Sequence, residues 1–447
     1  MKVYSNSKSK KMNELLKESL AGGVHSVYRL KNKKVPIHFN KAYKSRIWDV
    51  DGNEYLDLNA KTGAMFIGHG NEKYQNALKE CIDHVMTLDL TEYDVLACEY
   101  MKKYIPCCEM VHFGLSGTET VQNALRLARA YTSKNKVIRF EGHFHGTADN
   151  VLGGIVEKPE FPFPVDNGSG PFSTLGRAEN VLESQSIMIP WNDIGVFMKT
   201  VSRFKEDVAA VIMEPVNLNS GSIMPVEHYL EDVKHICKEN NILLIFDETI
   251  TGIRMGLGGA QGTFGVIPDI SIFGKCIGGG GLPLSALAGS KEIMEMYADN
   301  KVVHGGTFNG YPLSMVALIS VFEILTQDVG AYERLHRYSS ELAQIFMQLS
   351  SKAGIEMTVQ GPDGGMSYHC KEKEIITYAS LDDDTILKNG IVRECLCSHG
   401  ILVSHMSRMY TNIQLDETDL EFFEQHAKAA LEDAAIVINR IKKNNKR

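Results

Sequence analysis

The sequence predicts an α/β fold built around a mostly parallel β-sheet. Helical patterns and short apolar runs alternate through the middle of the chain, and five of those runs end in glycine, charged or aromatic residues. The chain also has 447 residues, of which 44% are hydrophobic. Because a single core stops growing at about 250–300 residues, we expect two or three packed units.

The composition argues against several classes of protein. A net charge of −8 does not favour general binding to nucleic acid. No stretch approaches the roughly 20 apolar residues of a membrane helix, and the N-terminal segment lacks the apolar core of a signal peptide. We therefore expect a cytoplasmic protein that binds no membrane. The cysteines and histidines show no zinc-type spacing, so we expect no metal.

The five apolar runs each lead into residues that can bind a ligand. The runs are 110–113, 137–140, 208–213, 242–246 and 270–273. The segments that follow them are, in the same order, 114–119, 142–146, 214–215, 247–248 and 274–275. Because ligands of open α/β sheets bind outside the carboxyl ends of the strands, we expect these five segments to meet at one edge of the sheet.

The end of the first run has the features of an anion site. Ser116 and Glu119 have the spacing of a capping box, and the apolar residues after them predict one face of a helix: Val121, Ala124, Leu125 and Ala128. A helix N-terminus offers free N–H groups, and Gly117 lets a phosphate approach the backbone. Taken alone, this tetrapeptide is better explained by an ordinary capped helix.

Asp247 and Lys275 are the pair with the most specific chemistry. Asp247 ends an apolar run, where a buried carboxylate needs a hydrogen-bonding or cationic partner. Lys275 ends another run, and a partly buried lysine is a usable amine nucleophile. The glycine tract 278–281 predicts a flexible wall against which a large group can lie. The anion site after Ser116, the carboxylate of Asp247 and the amine of Lys275 together fit pyridoxal 5′-phosphate (PLP). Phe144 is a candidate to stack on the PLP ring.

These residues and the motifs around them resemble the class III aminotransferases of fold-type I, and most closely their glutamate-1-semialdehyde 2,1-aminomutase branch. The similarity runs in register along nearly the whole chain, in the motifs at 22–29, 48–57, 68–70, 116–119, 142–146, 214–216, 247–254, 275–281 and 306–312. It implies a large PLP-binding domain at 66–330 with a seven-stranded sheet. It also implies a small α+β domain made of 1–65 and 331–447.

The resemblance implies a role for each matching residue around the cofactor. Lys275 forms the Schiff base with PLP, and Asp247 pairs with the pyridine nitrogen. The residues matching the phosphate site are Ser116, Gly117 and Thr118. Thr307 matches a residue that reaches the phosphate of the neighbouring subunit, which predicts a homodimer with its active sites at the subunit interface.

Five further residues match positions around the cofactor ring and the substrate. Phe144 and Thr249 would cover the two ring faces, where the family usually has tyrosine and valine. Glu214 and Asn219 match cofactor-binding positions, Asn219 near the pyridine O3′. Arg29 matches the arginine that holds the substrate carboxylate, although an arginine in a Lys/Arg-rich stretch is often a plain surface charge.

Departures from the aminomutase branch bear on the substrate. Thr62 stands where that branch has tryptophan, and the stretch 404–410 lacks the glutamate of that branch. His405 and Arg408 in this stretch are candidates to bind the polar end of a different substrate. The other interpretation of this stretch is a solvent-facing loop.

We therefore predict an aminotransferase of small molecules, which moves an amino group between an amino acid and a keto or aldehyde acceptor. An isomerase with the same cofactor, either the aminomutase or a racemase, is the first alternative. The second is a PLP-binding or interaction protein without catalysis, but the intact Asp247, Lys275 and Thr307 argue against it.

Overall fold

The computed structural model describes residues 4–26, 37–153, 175–178, 181, 185–298 and 301–444. The chain forms two compact units. The small unit comprises Met1–Glu72, Val329–Ile375 and Leu381–Arg447, and the large unit comprises Lys73–Asp328 and Ile376–Ser380. Compactness does not show that a unit folds on its own, so the predicted domain boundaries after residues 65 and 330 stay a prediction.

Strands and longer helices are numbered in chain order. The strands are β1 (Phe39–Tyr43), β2 (Arg46–Asp49), β3 (Glu54–Leu58), β4 (Met110–Gly114), β5 (Lys136–Phe140), β6 (Ser186–Ile189), β7 (Val208–Met213), β8 (Leu243–Glu248), β9 (Ile270–Phe273), β10 (Ser285–Gly289), β11 (Thr358–Gln360), β12 (Met366–His369), β13 (Ile401–Val403) and β14 (Arg408–Met409). The helices are α1 (Ser7–Lys17), α2 (Glu72–His84), α3 (Glu92–Tyr104), α4 (Gly117–Thr132), α5 (Ile194–Phe204), α6 (Tyr229–Glu239), α7 (Gly259–Phe264), α8 (Lys291–Ala298), α9 (Pro312–Gln327), α10 (Ala331–Lys352), α11 (Asp383–Ser398) and α12 (Glu417–Asn444).

The large unit contains the mostly parallel, seven-stranded sheet that was predicted. Its strand order is β4-β10-β9-β8-β7-β5-β6. Strands β9, β8, β7, β5 and β6 pair in parallel, whereas β10 pairs antiparallel with both β9 and β4. β4 therefore runs in the direction of the parallel strands. All five predicted apolar runs are strands of this sheet, and their carboxyl ends share one edge.

Helix α4 begins directly after β4 and packs on the sheet, as the apolar pattern predicts. The residues of its predicted apolar face, Val121, Ala124, Leu125 and Ala128, are all buried in one cluster with residues of the sheet. All six residues of β7 are buried as well, which is typical of a parallel strand covered on both faces. Packing of α4 thus fixes its N-terminus near the carboxyl edge of the sheet.

The small unit joins both ends of the chain in one sheet. β1, β2 and β3 form an antiparallel ladder, and β13 pairs in parallel with β3. A second sheet contains β11, β12 and β14. Helix α12 packs on the core of this unit through one apolar face, whose buried residues are Leu420, Phe423, Ala427, Ala430, Leu431, Ala434 and Ile438.

Two kinds of feature are absent from the described residues, a membrane-spanning helix and a metal-binding cluster. No single helix there has the length and the apolar composition to cross a membrane; only α9 and α10 taken together across a sharp bend reach both. No group of three or more His, Cys, Asp or Glu side chains in the described ranges could hold a metal ion.

Candidate active site

Asp247, near the end of β8, is a buried carboxylate with two hydrogen-bond donors. Its Oδ2 lies 2.8 Å from Nδ1 of His145, and its Oδ1 accepts a hydrogen bond of 3.1 Å from the backbone N–H of Thr249. Burial raises the pKa of Asp247, but the hydrogen bonds from His145 and Thr249 outweigh it, so this pKa lies below its ordinary value of 3.8. The strand end therefore presents an ionised carboxylate inside the protein.

His145 is a site residue that we did not predict from the sequence. An ionised carboxylate only accepts hydrogen bonds, so Nδ1 of His145 carries the hydrogen that it shares with Asp247. The signal was present in the sequence, because a buried aspartate needs such a partner and His145 follows Phe144 after another of the apolar runs. What the sequence does not show is that the two residues meet.

His143, on the other side of Phe144, is buried and differs chemically from His145. Its Nδ1 accepts a hydrogen bond of 2.9 Å from the backbone N–H of Glu214, and its ring lies 4.6 Å from the ring of Trp191 between centroids. Burial, and to a smaller degree His145, lowers the pKa of His143 well below 6.5. His143 is therefore a neutral imidazole, which packs against Trp191 and bonds to the loop that begins at Glu214.

Glu214, after β7, holds together two loops that carry predicted cofactor residues. Its Oε1 accepts from the backbone N–H of Phe144 at 2.7 Å and from Nδ2 of Asn219 at 3.0 Å. Its Oε2 accepts from the backbone N–H groups of Leu218 and Asn219 at 3.1 and 3.2 Å. Burial raises the pKa of Glu214. Since both oxygens already have protein donors, Glu214 acts on the site through Phe144 and Asn219, both of which are half-buried.

The N-terminus of α4 has the predicted cap, but only half of the capping box. The Ser116 hydroxyl accepts from the backbone N–H of Glu119 at 3.3 Å. The Glu119 carboxylate accepts from the backbone N–H of Leu115 at 3.1 Å, one residue before the cap, so the predicted reciprocal bond to Ser116 is wrong. The N–H of Glu119 is thus used by the cap, and the two N–H groups before it, those of Gly117 and Thr118, are the ones that the predicted phosphate site would use.

Gly117 and Thr118 lie between the loops that follow two other strands, β5 and β8. A Cβ on Gly117 would lie 3.4 Å from Oγ1 of Thr249, after β8. The hydroxyl of Thr118 accepts from the backbone N–H of Thr147 at 3.3 Å, and a Cβ on Gly146 would lie 2.6 Å from it. The helix N-terminus thus touches both the loop that carries His145 and the loop that follows Asp247.

Lys275 begins a 3₁₀ turn, Lys275–Gly278, after β9. In the parallel pairing of β8 and β9, Asp247 lies opposite Ile272 and Glu248 opposite Phe273, so Lys275 follows the end of the neighbouring strand. The preceding Gly274 packs on Thr249, because a Cβ there would lie 3.2 Å from Thr249 Cγ2. Lys275 is half-buried and has a positive φ of 46°, which is unusual for a residue with a side chain.

The glycine tract after Lys275 packs against a residue of this chain. The tract that was predicted to lie against a large ligand group surrounds the ring of Tyr74 from α2 instead, since a Cβ on Gly279 would lie 2.5 Å from Tyr74 Cε2. Tyr74 is therefore a second residue near the site that was not predicted.

Glu248, next to Asp247, is fully buried and holds the loop that follows β8. It accepts hydrogen bonds from the backbone N–H of Ala260 at 2.5 Å, from Nε2 of Gln261 at 2.9 Å and from Oγ1 of Thr251 at 3.3 Å. Burial raises the pKa of Glu248 to about 7, against these hydrogen bonds, which lower it.

Five further residues were predicted to bind substrate or to reach the partner subunit: Arg29, Thr62, Thr307, His405 and Arg408. Thr307 is exposed on the large unit, and its neighbour Phe308 is 58% exposed. Arg29 lies outside the described residues. Thr62, His405 and Arg408 belong to the small unit.

Within the small unit, the segment that contains Thr62 contacts the stretch 404–410. The contact is made by Gly63, on which a Cβ would lie 2.8 Å from the ring of Tyr410. Both segments have left-handed backbone: φ is 59° at Thr62 and 55° at Met406. Arg408 is buried, and its Nε donates to the carbonyl oxygen of His405 at 2.9 Å, so the solvent-facing interpretation is wrong for Arg408.

Known proteins share both sequence and fold with this chain. The model of the family "Aminotransferase class-III" matches residues 27–373. A glutamate-1-semialdehyde 2,1-aminomutase of Methanocaldococcus jannaschii is 37% identical over 378 residues, which cover 83% of this chain and 85% of that protein.

Among solved structures, an omega-transaminase from Sphaerobacter thermophilus is 28% identical with a TM-score of 0.88 and covers 95% of this chain and 97% of its own. A glutamate-1-semialdehyde aminomutase from Pseudomonas aeruginosa PAO1 has a TM-score of 0.85 at 20% identity, with coverages of 96% and 95%. This second likeness concerns the fold alone.

Proposed function

The chain belongs to the class-III aminotransferase family, and on that premise we propose that it is a PLP-dependent aminotransferase. Its fold is that of the fold-type I PLP enzymes. The reaction would move an amino group between an amino acid and a keto or aldehyde acceptor. When bound, PLP supplies the electron sink that weakens the Cα–H bond of an amine, and it carries the amino group between two half-reactions.

The observation that carries the proposal is the placement of Asp247 and Lys275 at the carboxyl ends of two adjacent strands, β8 and β9. Asp247 is ionised and buried, so it favours a protonated pyridine nitrogen beside it. Lys275 is half-buried and carries a primary amine, the group that reacts with the aldehyde of PLP. The residues at the carboxyl edge therefore fit the cofactor.

The chain's other residues at this edge have binding roles in the proposal. Ser116, Gly117 and Thr118 hold the phosphate at the N-terminus of α4, where N–H groups and the helix dipole favour an anion. Phe144 and Thr249 cover the two faces of the ring, and Asn219 lies near its O3′. Support comes from the contacts of Thr249 with Gly117 and Gly274, and from the hold of Glu214 on Phe144 and Asn219.

Lys275 would have a second role once its amine is free. The amine would act as a general base that takes the proton from Cα of the substrate, and then as the general acid that returns it. Asp247 keeps its charge through this exchange because His145 and Thr249 remain bonded to it. No other described residue is assigned to the proton transfer.

We also propose a cytoplasmic homodimer in which Thr307 completes the site of the partner subunit. The segment around Thr307 supports this, because Val303 is 68% and Phe308 58% exposed, and apolar side chains of that kind are covered in a subunit interface. Small-molecule substrates, without nucleic acid or a membrane, agree with the net charge of −8.

The substrate end of the site is proposed to include Arg29, Thr62, His405 and Arg408. Backbone strain supports this at Thr62 and at residues 406–407, which lie between His405 and Arg408, since all three hold left-handed conformations that side chains disfavour. Such strain persists only where the surrounding structure enforces it, and it concentrates at functional sites. The buried guanidinium of Arg408 is suited to a carboxylate.

Two departures favour transamination over isomerisation. Thr62 replaces the tryptophan, and 404–410 lacks the glutamate, of the aminomutase branch that the sequence resembles. The aminomutase remains the second candidate, because the relatives identical at 33–38% carry that name. A racemase, or a protein that binds PLP without turnover, is a further outcome of the same test.

A half-reaction screen separates these candidates. PLP-loaded protein is mixed with single amino acids and ω-amino acids, and the conversion of PLP to pyridoxamine phosphate is followed by absorbance and mass spectrometry. Net conversion that is reversed by a keto acid supports the aminotransferase. Turnover of one substrate without a second acceptor supports the isomerase, and no spectral change across the panel contradicts both.

A further inference from the structure

Tyr74 closes the glycine tract that follows Lys275 into a loop. Its hydroxyl donates to the carbonyl oxygen of Gly278 at 2.7 Å, and the ring is buried. A Cβ on Gly279 would lie 2.5 Å from the ring, and one on Gly281 would lie 2.8 Å from the hydroxyl oxygen. The tract has glycines because a tyrosine from another element fills its inside.

The same hydroxyl also faces the far end of the loop. Burial raises the pKa of Tyr74 to about 12, while hydrogen bonds from the backbone N–H groups of Leu282 and Gly281 lower it. The phenol therefore donates to Gly278 and accepts from the other end of the tract. Its own helix is fixed nearby, since Ala77 and Cys81 pack in one apolar cluster with Leu282 and Leu313.

This loop is the continuation of the turn that Lys275 begins. Lys275–Gly278 is a single 3₁₀ turn, and Gly278 is both its last residue and the acceptor of the Tyr74 hydrogen bond. Lys275 has a φ of 46°, a conformation that persists only if its surroundings enforce it. Thr249 restrains the start of the turn through Gly274, and Tyr74 restrains its end.

We propose that Tyr74 is a positioning residue, which holds the 3₁₀ turn so that the amine of Lys275 is presented to the aldehyde of PLP. The inference rests on the proposed function. In the step concerned, the nitrogen of Lys275 forms a C=N bond with the aldehyde carbon, and the aldehyde oxygen leaves as water with two amine protons. Tyr74 acts through the backbone of 278–282, to which its hydroxyl and ring are packed.

The test is the substitution Tyr74→Phe, which keeps the ring and removes the hydroxyl. Tyr4→Phe is a matched control, because Tyr4 makes the same two kinds of contact in the small unit. Its hydroxyl donates to the carbonyl oxygen of Glu54 at 2.6 Å, and it lies 2.5 Å from a Cβ placed on Gly400. PLP is added to cofactor-free protein, and attachment to Lys275 is followed by absorbance and by borohydride trapping with peptide mapping. Hydrogen exchange of the peptide that covers 275–282 is measured without cofactor.

We expect Tyr74→Phe to slow attachment about fivefold, as loss of one buried hydrogen bond implies, and to speed exchange in 275–282. Tyr4→Phe should match the wild type in both readouts. Equal attachment and exchange in wild type and Tyr74→Phe, or an equal slowing by Tyr4→Phe, overturns the inference alone. A wild type that forms no bond at Lys275 overturns the proposed function and the inference with it.

A second pair of variants guards against a purely global effect. Both Gly279 and Gly265 have left-handed backbone, with φ of 65° and 69°, so an alanine is strained to a similar degree at either position. Gly279→Ala also forces a Cβ against the Tyr74 ring, whereas the Cβ of Gly265→Ala has no atom within 4 Å. We expect slower attachment in Gly279→Ala than in Gly265→Ala at matched thermal stability. Identical rates in the two variants contradict a role of the Tyr74 ring.

Discussion

Nδ1 of His145 lies 2.8 Å from Oδ2 of Asp247, and both side chains are buried. The imidazole, together with the hydrogen bonds from Thr249, keeps this carboxylate charged in a place where burial favours its protonated form. An ionised Asp247 in turn is what the proposed chemistry needs beside the pyridine nitrogen. The charge at the centre of the site thus depends on a residue of another loop.

Removing His145 should therefore shift the pH dependence of cofactor retention. In the wild type Asp247 stays ionised at any pH above its lowered pKa, so retention fails only as the pH falls through that value. In His145→Ala burial acts without this donor, the pKa of Asp247 rises, and the acid limb moves to higher pH. His143→Ala removes an equally buried imidazole that bonds to Glu214 instead, and its acid limb should not move. If cofactor retention in His145→Ala and His143→Ala is lost at the same pH, His145 does not control the charge of Asp247.

Asp247→Asn should keep the fold and bind PLP, but lose catalytic rate by about a hundredfold or more, because a neutral amide no longer favours the protonated ring. The measurement is kcat for the best substrate of the half-reaction screen, with the thermal midpoint as a check of folding. The exposed Asp83→Asn serves as the control. A near-normal kcat for Asp247→Asn removes the proposed role of Asp247.

Lys275→Ala should abolish both the covalent attachment of PLP and turnover, because no other amine is proposed to react. Attachment is measured by borohydride trapping and peptide mapping. Lys291→Ala is the control, since its side chain is 67% exposed and pairs with Glu295 on the surface. Turnover at the wild-type rate in Lys275→Ala would mean that the mechanism is wrong.

Whether Thr307 acts on the partner subunit's site can be tested by mixing two inactive variants. If Thr307 acts on the partner's cofactor, a mixed dimer of Lys275→Ala and Thr307→Ala subunits has one intact site, and random mixing restores about a quarter of the wild-type sites. If Thr307 acts within its own chain, no mixed dimer has an intact site. Activity after denaturation and refolding of the mixture, compared with each variant refolded alone, decides between the two.

Glu248 should make the free energy of unfolding depend on pH. Its pKa is about 7 in the folded protein and ordinarily 4.5, so the folded state binds more protons between these values. Stability from this group is complete below pH 4.5 and is lost as the pH rises through 7, by about 3 kcal/mol. Glu248→Gln should remove this slope, although it also weakens the bonds to Ala260 and Gln261. The surface variant Glu295→Gln should keep the slope; equal slopes in all three proteins contradict the prediction.

Much of the large unit could be predicted because its signals are local. Apolar runs and the residues directly after them defined five strands of the sheet, and the spacing of Val121, Ala124, Leu125 and Ala128 defined the face of α4. The Ser116 cap is also a local feature and was correct. The reciprocal bond of the capping box was wrong because spacing does not decide which of two nearby N–H groups a flexible glutamate reaches.

The residues that were missed have partners far away along the chain. His145 and Asp247 are separated by 102 positions, and Tyr74 and Gly278 by 204. Nothing local in the sequence says that a tyrosine fills the glycine tract or that Glu214 holds Phe144 and Asn219. Such pairs are set by how strands order themselves in the sheet and by how helices pack on it.

The sequence by itself determined the class of fold and the family, and it led to the two residues that we propose for the chemistry, because strand patterns, strand ends and motif order are local features of the chain. Only the tertiary structure decided which groups surround them: His145 on Asp247, Thr249 on Gly117 and Gly274, and Tyr74 beneath Gly279. Charge and backbone conformation at these positions depend on burial and on neighbours in space, and neither quantity exists until the chain has folded.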